Sequence, residues 1–182
     1  RSFAELRGIL SSGDAVAGIR LLQASGGLTV LIPELGEIEG VEQSVYHHLD
    51  VWEHTLDALA QVDVIRRDPS LLGTGGARAA GLLDAECSDG ADRWTILKLA
   101  VLLHDVAKGR TRVVHEGGKV GFPGHDDMGA AMSQDILERL RTSTRTRSRI
   151  ATMIRHHLDL GYMSDRLPIP PRDVHAHLVA CG

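Results

Sequence analysis

Apolar residues recur at helical spacing along most of the chain, and the breaks between stripes fall at glycine, proline and capping residues. Residues 14–25 (DAVAGIRLLQAS) follow Ser11, Ser12 and Gly13, with Asp14 as a further cap, and Gly26-Gly27 stop them. A short segment, LTVLIPELGEI, carries Pro33 and ends near Gly40. Asp50 opens a strong helix, VWEHTLDALAQVDVIRRD, with apolar residues at 51, 52, 56, 59, 62 and 65, and Pro69 ends it. From Ser70 to Asp92 the pattern weakens, and GTGGARAAGLLDAECSDG reads as a flexible loop with room for a short helix. Residues 94–107 (WTILKLAVLLHDVA) are apolar nearly all round, the mark of a central buried helix. Residues 111–124 place β-branched residues on either side of Gly117-Gly118, which predicts a small hairpin or a long loop. Helices follow near 126–141, 146–160 and 171–180, with Pro170 and Pro171 suited to opening the last. The pattern predicts an all-α bundle of about seven helices with a short hairpin or loop insertion.

Composition narrows the function classes. Hydrophobic residues make up 43% and charged residues 24% of 182, ordinary for a globular domain and wrong for a disordered chain. Aromatics stand at 3%, too few for a base-stacking platform. A net charge of −4 excludes a uniformly basic surface but leaves a local basic patch open. Two cysteines, Cys87 and Cys181, fit a reducing compartment, and a cytoplasmic location is expected. No apolar run is long enough to cross a bilayer, so no membrane partner is expected. The chain starts at Arg1 rather than Met, which raises the expectation of a piece of a longer polypeptide. Within it we expect a helical lead-in over 1–45 and a catalytic domain over 46–182.

Ten histidines are an excess, since roughly one residue in forty is usual. Their placement matters more than their number. His54 lies inside the first strong helix, His104-Asp105 near the end of the most apolar one, His125 at the start of the next, and His156-His157 on the helix after that. A lone core histidine is more often hydrogen-bonded than metal-bound. A set falling on consecutive helices reverses those odds, and a carboxylate in an apolar site needs a compensating charge. A divalent cation supplies it; imidazole with carboxylate suits manganese, nickel, iron or zinc. His47, His48, His115, His175 and His177 read as surface or loop residues without a role. Lys108 follows Asp105 by three residues, placed either to hold a phosphate oxygen or to counter the helix dipole.

These segments resemble a known family. IPELGEIEGVEQ, YHHLDVWEHTLDAL, LAVLLHDVAKG, FPGHDDMGA and MIRHH, spread over roughly residues 30–160, are similar to the HD superfamily of metal-dependent phosphohydrolases. The likeness is closest to the HD domain of the tRNA nucleotidyltransferase (CCA-adding) and poly(A) polymerase family, and it extends to the enzyme that uridylylates the PII protein. The resemblance implies metal ligands at His54, His104 and Asp105, with a fourth at Asp159 or Asp173. It implies a weaker second metal held by His125, His156 and His157, or His125 beside the site as a supporting residue. It also implies phosphate binding at Lys108. His156 and His157, adjacent on one helix, would diverge by about 100°.

The nucleotidyltransferase head is not in this sequence. GGKVGFPGHDD mimics its carboxylate pair, but Asp126 and Asp127 are adjacent and read as first-turn helix acids. GTGGARAAG lacks the third glycine of a dinucleotide fingerprint, where Arg78 stands. In ERLRTSTRTRSRIATMIR, residues Arg139, Arg141, Arg145, Arg147 and Arg149 form either a solvated inter-helix face or a contact for RNA, with Arg145 and Arg147 as substrate-binding candidates. The expected reaction is hydrolysis of a phosphomonoester or phosphodiester on a nucleotide or RNA end. Lys108 would stabilise charge, and Asp105 or the later aspartate would take the proton. A non-catalytic RNA-facing or ligand-binding HD module is the alternative, and oligomeric state is left open.

Overall fold

A computed structural model describes residues 2–43, 49–165 and 167–181. The fold is all-α, as the periodicity predicts. The boundary expected at 45/46 lies outside the described residues.

Helix α1 (Ser2–Ser11) precedes α2 (Ala15–Ala24), which Asp14 caps by accepting from the Ala17 amide at 3.0 Å. Helix α3 (Gly27–Leu31) and a 3₁₀ turn (Pro33–Ile38) follow. Helix α4 (Val51–Arg67) starts at Asp50, whose carboxylate accepts from the Glu53 amide at 2.8 Å.

The stretch over 70–92, read as a loop with room for a short helix, contains that helix and more. A 3₁₀ turn (Pro69–Gly75) leads into α5 (Gly76–Leu83), then strands β1 (Glu86–Ser88) and β2 (Ala91–Asp92) pair antiparallel. Gly76 allows this: a Cβ there would sit 1.8 Å from the Pro69 carbonyl oxygen, so only glycine lets the helix close on the preceding turn.

Helix α6 (Arg93–Leu103) is the centre of the bundle, in contact with α1 and α4. Its all-round apolar surface follows from that position, with Trp94, Ile96, Leu99, Leu102 and Leu103 buried. Two polar residues, Thr95 and Lys98, are buried among them. Lys98, fully buried, pairs with Asp63 of α4 and donates to the carbonyls of Leu10 at 2.9 Å and Ser12 at 3.1 Å. Asp63 also accepts from the Ala15 amide at 3.2 Å, so the pair satisfies the end of α1 and the start of α2. Leu6, Leu10, Ile19 and Leu35 share one buried cluster with Leu99 and Ile154.

Helix α7 (Lys108–Thr111) follows a tight turn, then β3 (Val113–Val114) and β4 (Val120–Gly121) make the expected hairpin, Val113 opposite Gly121 and Val114 opposite Val120. Helix α8 (His125–Arg139) packs along α9 (Thr144–Arg155), with which α6 is also in contact. The helix expected over 146–160 is broken at His156–Leu158, and α10 (Asp159–Ser164) restarts it before α11 (Pro171–Cys181).

Candidate metal centre

Backbone turns aim the site. The α-helical ladder of α6 stops at Leu103, and the next bonds reach back only three residues: His104 N to Val101 O at 3.5 Å, Val106 N to Leu103 O at 3.1 Å and Lys108 N to Asp105 O at 2.9 Å. The tightened turn points Asp105 inward, where it is 1% exposed. Helix α7 is held in place at Gly109, where a Cβ would come within 2.4 Å of the Glu37 carbonyl oxygen. Lys108 opens α7 and is not a last-turn residue of α6, and its ammonium lies 2.8 Å from Asp105 Oδ2.

Four imidazoles surround the buried carboxylate. His104 Nε2 lies 3.0 Å and His54 Nε2 3.8 Å from Asp105 Oδ2, while His125 Nε2 lies 3.5 Å and His157 Nε2 3.8 Å from Oδ1. The ligand atoms form two triads that share Asp105: His54, His104 and Asp105, and Asp105, His125 and His157, each within 4.8 Å. Three rings are fixed the same way. Nδ1 of His104, His125 and His157 bonds the carbonyl three residues earlier, at Val101 (2.7 Å), Phe122 (2.7 Å) and Ile154 (2.6 Å). Such a bond places the proton on Nδ1 and leaves the Nε2 lone pair facing the carboxylate.

Burial alone would raise the Asp105 carboxyl, but His104 and Lys108 outweigh it and hold the group well below the usual carboxylate range. Burial lowers His157, keeping the ring neutral, against its bond to Ile154 and the nearby carboxylate. Both Asp105 oxygens and His125 Nε2 are buried without an aligned hydrogen bond. A buried, ionised carboxylate ringed by four imidazole nitrogens, with the Lys108 ammonium at 2.8 Å, is a donor set that suits a divalent transition cation.

The family model of the HD domain matches residues 77–180. The chain belongs to the HD domain family. This HD domain is 36% identical over 155 residues to the A-adding tRNA nucleotidyltransferase of Deinococcus radiodurans, covering 85% of the chain and 30% of that relative. It is 33% identical to the CC-adding tRNA nucleotidyltransferase of Thermus thermophilus, over 85% of the chain and 30% of the relative. It is 32% identical to the bifunctional uridylyltransferase/uridylyl-removing enzyme of Rhodospirillum rubrum, over 84% and 14%. The chain thus spans under a third of the length of these curated relatives.

The HD domain gathers His54, His104, Asp105, Lys108, His125 and His157 around one cavity of about 440 Å³, walled by Phe122 and Tyr162. His156 is set apart from it. The break after α9 turns its Nδ1 to Asp159 Oδ2 at 2.9 Å, and His177 Nδ1 of α11 meets the same oxygen at 3.1 Å. Burial would raise Asp159, but these two bonds hold it below the usual range. Neither Asp159 nor Asp173 lines the Asp105 cavity; both lie along a neighbouring cleft with His177 and Tyr162. His177 carried no signal in the sequence, because its partner is set by how α11 lies on α10. Gln43 was missed too, and it lines the site.

The arginine run is largely matched by other groups. Arg139 pairs with Glu34 at 2.7 Å, Arg147 with Glu138 at 2.6 Å and Arg155 with Asp127 at 2.8 Å, while Arg149 donates to Cys87 Sγ at 2.7 Å. No helix among the described residues is long and apolar enough to cross a membrane.

Proposed function

We propose that this HD domain is a metal-dependent phosphohydrolase acting on a phosphomonoester or phosphodiester of a nucleotide or RNA end. The observation that carries the reading is the buried, ionised Asp105 carboxylate enclosed by Nε2 atoms, three of whose rings are locked through Nδ1. Manganese, nickel, iron and zinc all suit such donors. His54, His104 and Asp105 would hold one cation, and His125 and His157, sharing Asp105, a weaker second. A bound divalent cation supplies Lewis-acid polarisation of a phosphate oxygen and a hydrolytic water of lowered pKa.

The chain's own residues do the rest. Lys108 presents an ammonium at the cavity, suited to a phosphate oxygen that gains charge. Asp105, held ionised, is a poor proton acceptor, and its part is to keep negative charge between the imidazoles. Phe122, Pro123 and Val120 from the hairpin side narrow the cavity and reduce water access. The relatives named for tRNA nucleotide addition support an RNA end as substrate, with Arg145 and Arg147 as candidate contacts.

The test is elemental analysis of protein purified without added metal, followed by turnover of mono- and bis-nitrophenyl phosphate. Retained transition metal and metal-dependent turnover support the reading. Titration with manganese should give two unequal sites, the weaker lost in His125→Ala. A protein that binds no manganese and turns over neither ester would sink it. One observation favours the other reading, a ligand-binding module. An apolar cavity of about 400 Å³, lined by Ala58, Leu97, Val101, Met153 and Leu160, adjoins His104 and His157. Small-molecule binding unaffected by Asp105→Ala would support it.

A further inference from the structure

Gln43 is a buried amide, 8% exposed, on the short stretch between the 3₁₀ turn and the described start of α4's capping segment. Its Oε1 accepts from Lys108 Nζ at 2.8 Å across 65 residues of chain. Among the described residues the ammonium also meets Asp105 Oδ2 at 2.8 Å and the Phe122 ring, 5.2 Å to its centroid. We propose that Gln43 is a positioning residue that holds Lys108 at the mouth of the metal centre while Asp105 serves the cation. For the phosphate this rests on the proposed function; for the lysine it rests on geometry alone.

The need for such an anchor follows from the lysine. A lysine ammonium is a point charge on a flexible stem of four carbons. Asp105 is its strongest partner here, yet Asp105 is shared by both candidate ligand triads. An oxygen engaged by a cation offers less to the ammonium, which is then buried with its charge less well matched. Gln43 Oε1 is a second, neutral acceptor. It orients the ammonium without cancelling its charge, so the charge remains available to an anionic ligand. A carboxylate at this place would pair with Lys108 and repel phosphate.

The amide is itself oriented. Its Nε2 faces the carbonyls of Leu49 and Asp50, each at 3.4 Å, which turns Oε1 toward the lysine. Residues 40 and 41, just before Gln43, are held to the start of α4 by Gly40 N to Asp50 Oδ2 at 3.1 Å and Val51 N to Val41 O at 3.0 Å. Asp50 also caps α4, the helix that carries His54. Gln43 and a candidate metal ligand are therefore registered by one aspartate.

Gln43→Met keeps the length and removes the acceptor; Gln43→Glu keeps the acceptor and adds charge. The first measurement needs no substrate: acetylation of Lys108 by an N-hydroxysuccinimide ester, followed by peptide mass spectrometry with Lys119 as reference. Gln43→Met should acetylate Lys108 about threefold faster, having lost one hydrogen bond to the ammonium, while Gln43→Glu should not exceed the parent rate. The second is inorganic phosphate binding to the manganese-loaded protein by calorimetry. Gln43→Met should weaken it about tenfold at unchanged manganese content, the size of one hydrogen bond to a charged group. Gln43→Glu should weaken it further. In a Lys108→Met background Gln43→Met should cost nothing more, because the two act as a unit. Unchanged acetylation with unchanged phosphate affinity overturns the proposal, as does an equal loss in both backgrounds, which would mark Gln43 as merely structural. Faster acetylation in a protein whose parent binds no phosphate supports the positioning role and counts against the phosphohydrolase reading instead.

Discussion

Asp105 must stay ionised in a place that excludes water, and its neighbours are arranged to allow it. His104 at 3.0 Å and Lys108 at 2.8 Å outweigh the cost of burial. Asp105→Ala should therefore reduce bound manganese to background and cut any phosphoesterase rate by at least about a hundredfold, with helicity retained. Elemental analysis beside far-ultraviolet circular dichroism checks both halves; global unfolding would make Asp105 mainly structural. At this scale much was legible. A His-Asp doublet at the end of an apolar helix needs a compensating partner, and His54, His125 and His157 lie around it in the fold. What the sequence withheld was direction. His156 and His157 are neighbours in the chain, but both lie in the turn after α9, not 100° apart on a helix, and that turn sends one to Asp159 and the other to Asp105.

Helix ends, more than helix interiors, determine this site. The apolar run through residue 107 gives no sign of stopping at Leu103, because periodicity records which face is buried and not where the ladder breaks. The stop comes from tertiary demands: the inward Asp105 and the close approach of Gly109 to Glu37. The same limit left α5 as only an allowed short helix and hid the β1–β2 pair, in a glycine-rich sequence that reads mostly as a loop until Gly76 meets Pro69. Capping was easier to read at Asp14 and Asp50, and the same device recurs at Asp92. Asp92 caps α6 by accepting from the Thr95 amide at 2.7 Å and pairs with Arg66 at 3.1 Å. Burial opposes ionisation of Asp92, but Thr95 and Arg66 prevail and its pKa is lowered. Its contribution is thus full above the unfolded value of about 3.9 and is lost as pH falls through the lower folded value. Asp92→Ala should cost about 1 kcal/mol at pH 7 and flatten the acid limb of the stability curve, as urea titrations at pH 7 and pH 3 would register.

At the scale of the whole molecule, a net charge of −4 and paired arginines leave little unopposed positive field. Replacing Arg145 and Arg147 with serine should raise KM for an oligoribonucleotide by about threefold at low salt and leave kcat alone, since steering precedes chemistry. An aryl phosphate should be unaffected; equal losses on both would refute steering. The bundle also joins remote parts of the chain. The candidate ligands come from α4, the turn after α6, the start of α8 and the end of α9, with His54 and His157 more than a hundred residues apart. An unfolded chain cannot offer those atoms to one ion, so a bound cation would act as a noncovalent crosslink across four helices. By mass action, a cation at a hundred times its Kd adds about 2.7 kcal/mol to the folded state. For a chain of this size that raises the melting temperature by roughly 5–10 °C. Chelation should remove this increment from the parent protein and leave Asp105→Ala unchanged in calorimetry, so that loss of metal loosens the joints between helices as well as silencing the site.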